Sequence, residues 1–218
     1  MKSHSNASLL RRGILASLWI TAISSLPGPA AAHHPTGKKL PATVLDGFLS
    51  GIGHPLIGPD HLAFIVAIGI AAALVPAGSS LIAAFVATST VGVLLHALTS
   101  MDVPLAEPLV AISVIAAGAL VAFGRNSATS TWMVLAAVAG LFHGYAFGET
   151  VVGAGSGVIG AYLIGLALVA SAVAVAAMQV MPRVLALAEA PSSSRLRAAG
   201  AVLAGVGLSM LASNFVVG

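Results

Sequence analysis

The chain has 218 residues, of which 58% are hydrophobic and 7% charged, against about 25% charged in an ordinary soluble domain. So few ionisable groups cannot clothe a water-facing surface, and the lipid bilayer is the expected solvent. The net charge of +3 is too sparse for a nucleic-acid footprint, and the absence of cysteine excludes disulfides, thiolate metal sites and a cysteine nucleophile.

The first 32 residues read as a signal peptide that is cleaved. Lys2, Arg11 and Arg12 form its basic start, and residues 13–26 are apolar but shorter than the roughly 20 residues of a span. Ala30-Ala31-Ala32 offers a small-residue cleavage motif. The alternative is one extra, uncleaved helix. Cleavage after Ala32 places His33 and His34 at the outer start of the mature chain. There a free amine and two imidazoles form either a weak metal-capture point or simply a polar terminus. Residues 33–42 are then an outer linker, and residues 43–218 a single membrane domain.

Residues 43–75 are apolar, long for one simple span, and interrupted at His54-Pro55 and at Gly58-Pro59. The pattern predicts a half-helix, a break and a second helix from Asp60 to about Val75. Further apolar segments follow at about 80–98, 106–124, 131–148, 155–180 and 198–217. The expected fold is an all-α integral membrane protein of about six transmembrane helices, the first broken at His54-Pro59. Arg125, Arg183, Arg195 and Arg197 then fall in loops on one side, at 124–130 and 181–197, and the opposite loops near 99–105 and 149–154 carry no Lys or Arg. The positive-inside rule therefore predicts an inner-membrane (plasma-membrane) protein with both mature termini outside. Small residues four apart, as in Gly153 with Gly157 and Gly200 with Ala204, suit close helix packing.

Ionisable groups inside a membrane are expensive, so each is a functional suspect. One group is His54, Asp60 and His61, placed around the break. Neutral imidazole and carboxylate together suit divalent first-row metals. In an unbroken helix His54 and His61 would lie about 10 Å apart along the axis. Two ligands of one ion stand within about 4 Å, so joint coordination depends on the break. The second group is His143 within an apolar segment and Glu149 at its outer end. In both groups the histidine precedes the acid by six residues. Their segments are the first and fourth crossings and run antiparallel, which suggests a 3+3 inverted repeat with the site at its interface. Glu107, His96 and Asp102 also map to the outer side, Glu107 and His96 as auxiliary ligand candidates and Asp102 as an ordinary solvated charge.

These residues resemble the motifs of the HupE/UreJ family of nickel and cobalt permeases. The first motif is His54-Pro55 followed by Asp60-His61, and the second is Phe142-His143-Gly144 followed by Gly148-Glu149. Pro104-Leu105-Ala106-Glu107-Pro108 also resembles the family's third span. The resemblance covers the whole mature chain. It implies uptake of nickel or cobalt, with the ion as cargo and no permanently bound cofactor, and does not choose between the two metals. Two other classes stay open on the residues alone. One is an intramembrane hydrolase, either metal-dependent or rhomboid-like with Ser156 as nucleophile, although Ala154 stands where the rhomboid pattern wants glycine. The other is a metal sensor or chaperone partner without flux. Nothing in the sequence fixes an oligomeric state.

Overall fold

The computed structural model describes residues 40–101, 103–124, 127–186 and 192–216. The signal peptide, His33, His34, Asp102 and Arg125 lie outside the described residues. All regular structure among the described residues is helical: α1 (Val44–Ile57), α2 (Pro59–Leu74), α3 (Ser79–Thr99), α4 (Ala106–Phe123), α5 (Thr129–Gly148), α6 (Ser156–Ala186) and α7 (Ser192–Val216). A short 3-10 turn, Glu149–Val151, extends α5.

Helices α3 to α7 are each long and apolar enough to cross a membrane. Helices α1 and α2 pass that test only as a pair bent by 80°, so the crossings number six when the pair counts as one. The bend has a local cause. Pro59 supplies no backbone N–H and disfavours helical geometry in the residue before it. Gly58 is accordingly extended (φ −75°, ψ 109°), and Pro59 opens α2 at its first position, where no donor is missed. Pro55, expected as a second interruption, does not break the chain: it lies inside the last turn of α1, which runs on to Ile57. The start of α1 is fixed by a reciprocal cap, with the Asp46 N–H donating to Thr43 Oγ1 and the Thr43 N–H to Asp46 Oδ2.

Helix α2 is apolar around its whole circumference, and such a helix belongs in an interior. It touches every other helix of the bundle. Phe64, Ile65, Ala67, Ile68 and Ala71 on it are fully buried. Around it α3 packs most closely on α5, α1 on α6, and α4 on α7. The main core joins α2 to the inner faces of α3, α4, α5, α6 and α7, and a second core is formed by Val93, Phe147, Val151, Ile159, Tyr162 and Leu166.

Close approach of α3 and α5 depends on Gly144, where an added Cβ would stand 2.1 Å from the Ser89 carbonyl oxygen. The expected Gly200–Ala204 contact exists, against Gly118 of α4. The Gly153–Gly157 contact does not: Gly153 lies in the loop before α6 with nothing within 4 Å, and Gly157 has only Val44 at 3.8 Å. The expected loop 181–197 is also shorter, because α6 continues to Ala186 and α7 begins at Ser192. Arg183 therefore sits in the last turn of α6. Arg195, in the first turns of α7, donates from Nη1 to the carbonyls of Val184 and Leu185 at the end of α6. A cation at a helix C-terminus meets the negative end of the backbone dipole as well as its unpaired carbonyls.

Candidate metal site

The break brings two histidines together that a straight helix would keep apart. His54 lies in the last turn of α1 and His61 in the first turn of α2, and their ring centroids are 5.6 Å apart in an edge-to-face arrangement. Gly58 makes room for this. A Cβ there would stand 2.7 Å from His61 Cδ2 and 3.3 Å from Asp60 Oδ1. Asp60, 2% exposed, accepts the backbone N–H of His61 at 2.9 Å, so its carboxylate is held at the positive N-terminal end of α2.

The second motif joins the first directly. His143 of α5 has no exposed surface, and its Nδ1 stands 2.9 Å from Nδ1 of His61. Two nitrogens bound to one ion are about 3–4 Å apart when each bond is about 2 Å, so this pair already has a separation close to that of two ligands. Aromatic rings wall the pair. Phe147 lies 4.2 Å from the His61 ring, and Phe64 lies 4.5 Å from the His143 ring, centroid to centroid.

Each anchored imidazole is held from outside the pair by hydroxyl groups. Ser113 Oγ of α4 stands 2.9 Å from His143 Nε2. Tyr162 Oη of α6 and Thr150 Oγ1 of the 3-10 turn stand 3.0 and 2.8 Å from His54 Nδ1. None of these three was singled out in the sequence. Ser113 carries the clearest signal, as a hydroxyl inside an otherwise apolar segment, but nothing local names its partner.

The remaining expected residues sit around this cluster. Glu149 follows α5 directly and Glu107 lies in the first turn of α4, both exposed at the same end of the bundle. The charges of Asp60 and Glu149 both act on Glu107, so the three carboxylates form one acidic region. His96 stands apart from the cluster. Its ring stacks on Tyr145 at 4.1 Å, and its Nδ1 is 2.7 Å from the Tyr145 carbonyl oxygen, a group that only accepts, so His96 ties α3 to α5. Ser156, the candidate nucleophile, is exposed at the start of α6. Among the described residues no three His, Asp or Glu side chains are grouped as a ready coordination sphere. The site is a pair of imidazoles with a third beside it and an acidic rim.

Both motifs fall within residues 21–210, which match the family model described as HupE / UreJ protein. The chain belongs to the HupE/UreJ family. It is also similar to Protein HupE of Rhizobium leguminosarum bv. viciae, with 31% identity over 130 residues. That match covers 59% of this chain and 65% of the relative, so the chain spans just under two thirds of the protein it resembles. No solved structure matches it. As a HupE/UreJ protein, the chain is a multi-pass membrane protein in which one histidine from each motif, His61 and His143, meet inside the bundle.

Proposed function

We propose that this protein is a secondary permease that takes up divalent transition-metal ions, nickel or cobalt. The observation that carries the reading is the 2.9 Å meeting of His61 and His143 inside an apolar bundle. A buried pair of imidazoles flanked by a carboxylate suits late first-row divalent ions, and the absence of cysteine argues against copper(I). His54, Asp60, His61 and His143 would hold the ion in passage, with Glu149 and Glu107 drawing cations to the entrance. His33 and His34 would sit upstream as an outer capture point, and His96 would support the α3–α5 contact. Membership of a family associated with nickel and cobalt transport favours transport over hydrolysis.

The acidic region and the basic residues Arg183, Arg195 and Arg197 lie at opposite ends of the bundle. We place the acidic end outside, in keeping with the positive-inside rule. The 3+3 inverted repeat belongs to the same reading. Exchanging the first three crossings for the last three carries the α3–α5 packing onto α6–α1 and returns α4–α7 to itself.

The deciding experiment is uptake of radioactive nickel and cobalt by vesicles reconstituted with the purified protein, beside His61→Ala and His143→Ala variants. Accumulation of one metal by the wild type, lost in both variants at equal insertion, would name the cargo. Equal accumulation with and without the protein would sink the permease reading, and stoichiometric zinc retained through purification would point to a metal-dependent hydrolase instead.

A further inference from the structure

The hydroxyls around the histidines allow each ring proton to be followed to its end. Ser113 Oγ donates its single proton to the Val110 carbonyl at 2.7 Å. Towards His143 that oxygen can then only accept, so His143 Nε2 carries the proton and Nδ1 the lone pair. Two bare nitrogens cannot bond to each other, so His61 Nδ1 must be the donor across the 2.9 Å contact, and a cation that binds between the two nitrogens displaces that proton. Tyr162 Oη in turn donates to the Phe147 carbonyl at 2.8 Å. Thr150 Oγ1, 2.8 Å from the same nitrogen, is also hydrogen-bonded to Tyr162; with its proton spent on Tyr162 Oη, both oxygens can only accept from His54, so His54 carries its proton on Nδ1 and its lone pair on Nε2.

We infer that Ser113 of α4, together with the Thr150–Tyr162 pair, sets the ring tautomers of His143 and His54, presenting Nδ1 of the one and Nε2 of the other as ligand atoms for the passing cation. This inference rests on the permease reading of the same site. The three are positioning residues: they touch the ligand-bearing rings and act through them. Hydrogen-bond partners of a ligating histidine ordinarily fix which nitrogen faces the ion and how the ring is turned, and their loss costs about 10–100-fold in metal affinity. The backbone carbonyls of Val110 and Phe147 matter as much as the hydroxyls. A carbonyl cannot donate, so it forces each hydroxyl proton away from the imidazole. Helices α4 and α6 thereby determine the chemistry of rings carried by α5 and α1.

The test uses the full-length protein in nanodiscs, with histidine labelled by nitrogen-15. Ring nitrogen shifts separate protonated from bare nitrogens without any metal present. The wild type should show His143 protonated at Nε2 and His54 at Nδ1. Ser113→Ala should convert His143 to a mixture of tautomers and raise the half-saturating nickel concentration for vesicle uptake about 10–100-fold, leaving the maximal rate unchanged. Ser113→Thr, which keeps the hydroxyl, should restore both. Tyr162→Phe gives the same comparison for His54, independently of α4, because losing the Tyr162 oxygen frees the Thr150 proton for His54 Nδ1. A wild-type His143 protonated at Nδ1, or unchanged tautomers in both Ser113→Ala and Tyr162→Phe, would overturn the assignment. Normal uptake by His143→Ala would instead overturn the permease site on which it rests, and the tautomer spectra distinguish the two failures.

Discussion

His61 and His143, 82 positions apart in the chain, hydrogen-bond through their Nδ1 atoms at 2.9 Å with no exposed surface on His143. The bond ties the first turn of α2 to the end of α5 and so fastens the broken segment to the bundle. Removing His61 leaves the buried Nδ1 of His143 without its donor, at a cost of about 1–3 kcal/mol. Removing both relieves that penalty. The double variant His61→Ala/His143→Ala should therefore be more stable than the sum of the two single losses predicts, by about 1 kcal/mol. Denaturation of the purified protein in detergent measures this. Strict additivity would mean that the two rings do not depend on each other.

Gly58 allows a sharper separation of site from scaffold. Its missing Cβ leaves room for His61 Cδ2, which an alanine would approach to 2.7 Å. The neighbour that must yield is a ring rather than backbone, so Gly58→Ala should displace His61 at a stability cost of about 1–3 kcal/mol. Nickel or cobalt uptake should fall at least tenfold while the protein still inserts and folds. Uptake at wild-type level in that variant would show that the position of His61 is not critical.

The helices were legible in the sequence because each span is an apolar block bounded by Gly, Pro or charge, and the break because Pro59 dictates it one residue ahead. Pro55 misled because the loss of its single bond to the Gly51 carbonyl does not stop α1, which runs on two more residues to Ile57. Of the site, the histidines and carboxylates stood out as rare ionisable groups in an apolar chain. Ser113, Thr150 and Tyr162 did not, since hydroxyls are common in spans and these act at sequence separations of 30, 96 and 108 residues. His96 ranks in the sequence only as an auxiliary candidate, and its stacking on Tyr145 sets it apart from the cluster. Composition marks where polar groups are costly, and packing alone decides which of them meet.

The α3–α5 contact should be intolerant of volume. An alanine at Gly144 would place its Cβ 2.1 Å from a backbone oxygen of Ser89, which can move only if the helices separate. Gly144→Ala should destabilise by about 1–3 kcal/mol through overpacking. Gly160→Ala is the matched control: nothing lies within 4 Å of it, and the exchange should stabilise α6 by about 1 kcal/mol through helix propensity. Opposite shifts in the thermal midpoint are expected. Equal shifts would show that the close approach at Gly144 does not limit packing.

Acid should weaken uptake. A metal ion and a proton compete for the same imidazole lone pair, so affinity requires the neutral ring and falls once the ring is protonated. The half-saturating concentration of nickel should therefore rise as the outer pH alone is lowered in vesicles, until the protein unfolds. An affinity that stays constant down to the pH of unfolding would argue against histidine ligation and shift attention to Asp60, Glu107 and Glu149.

Sidedness can be read with single cysteines, because the chain has none of its own. Ser156 opens α6 at the acidic end and Ser194 lies in the first turn of α7 at the basic end, and both are exposed. With the acidic end outside, an impermeant maleimide added to intact cells should label Ser156→Cys and spare Ser194→Cys, and disrupting the membrane should expose the second. The reverse pattern would turn the protein over, putting Glu107 and Glu149 at the cytoplasmic mouth. The carboxylates would then meet the ion as it leaves, and the same geometry would serve export rather than uptake.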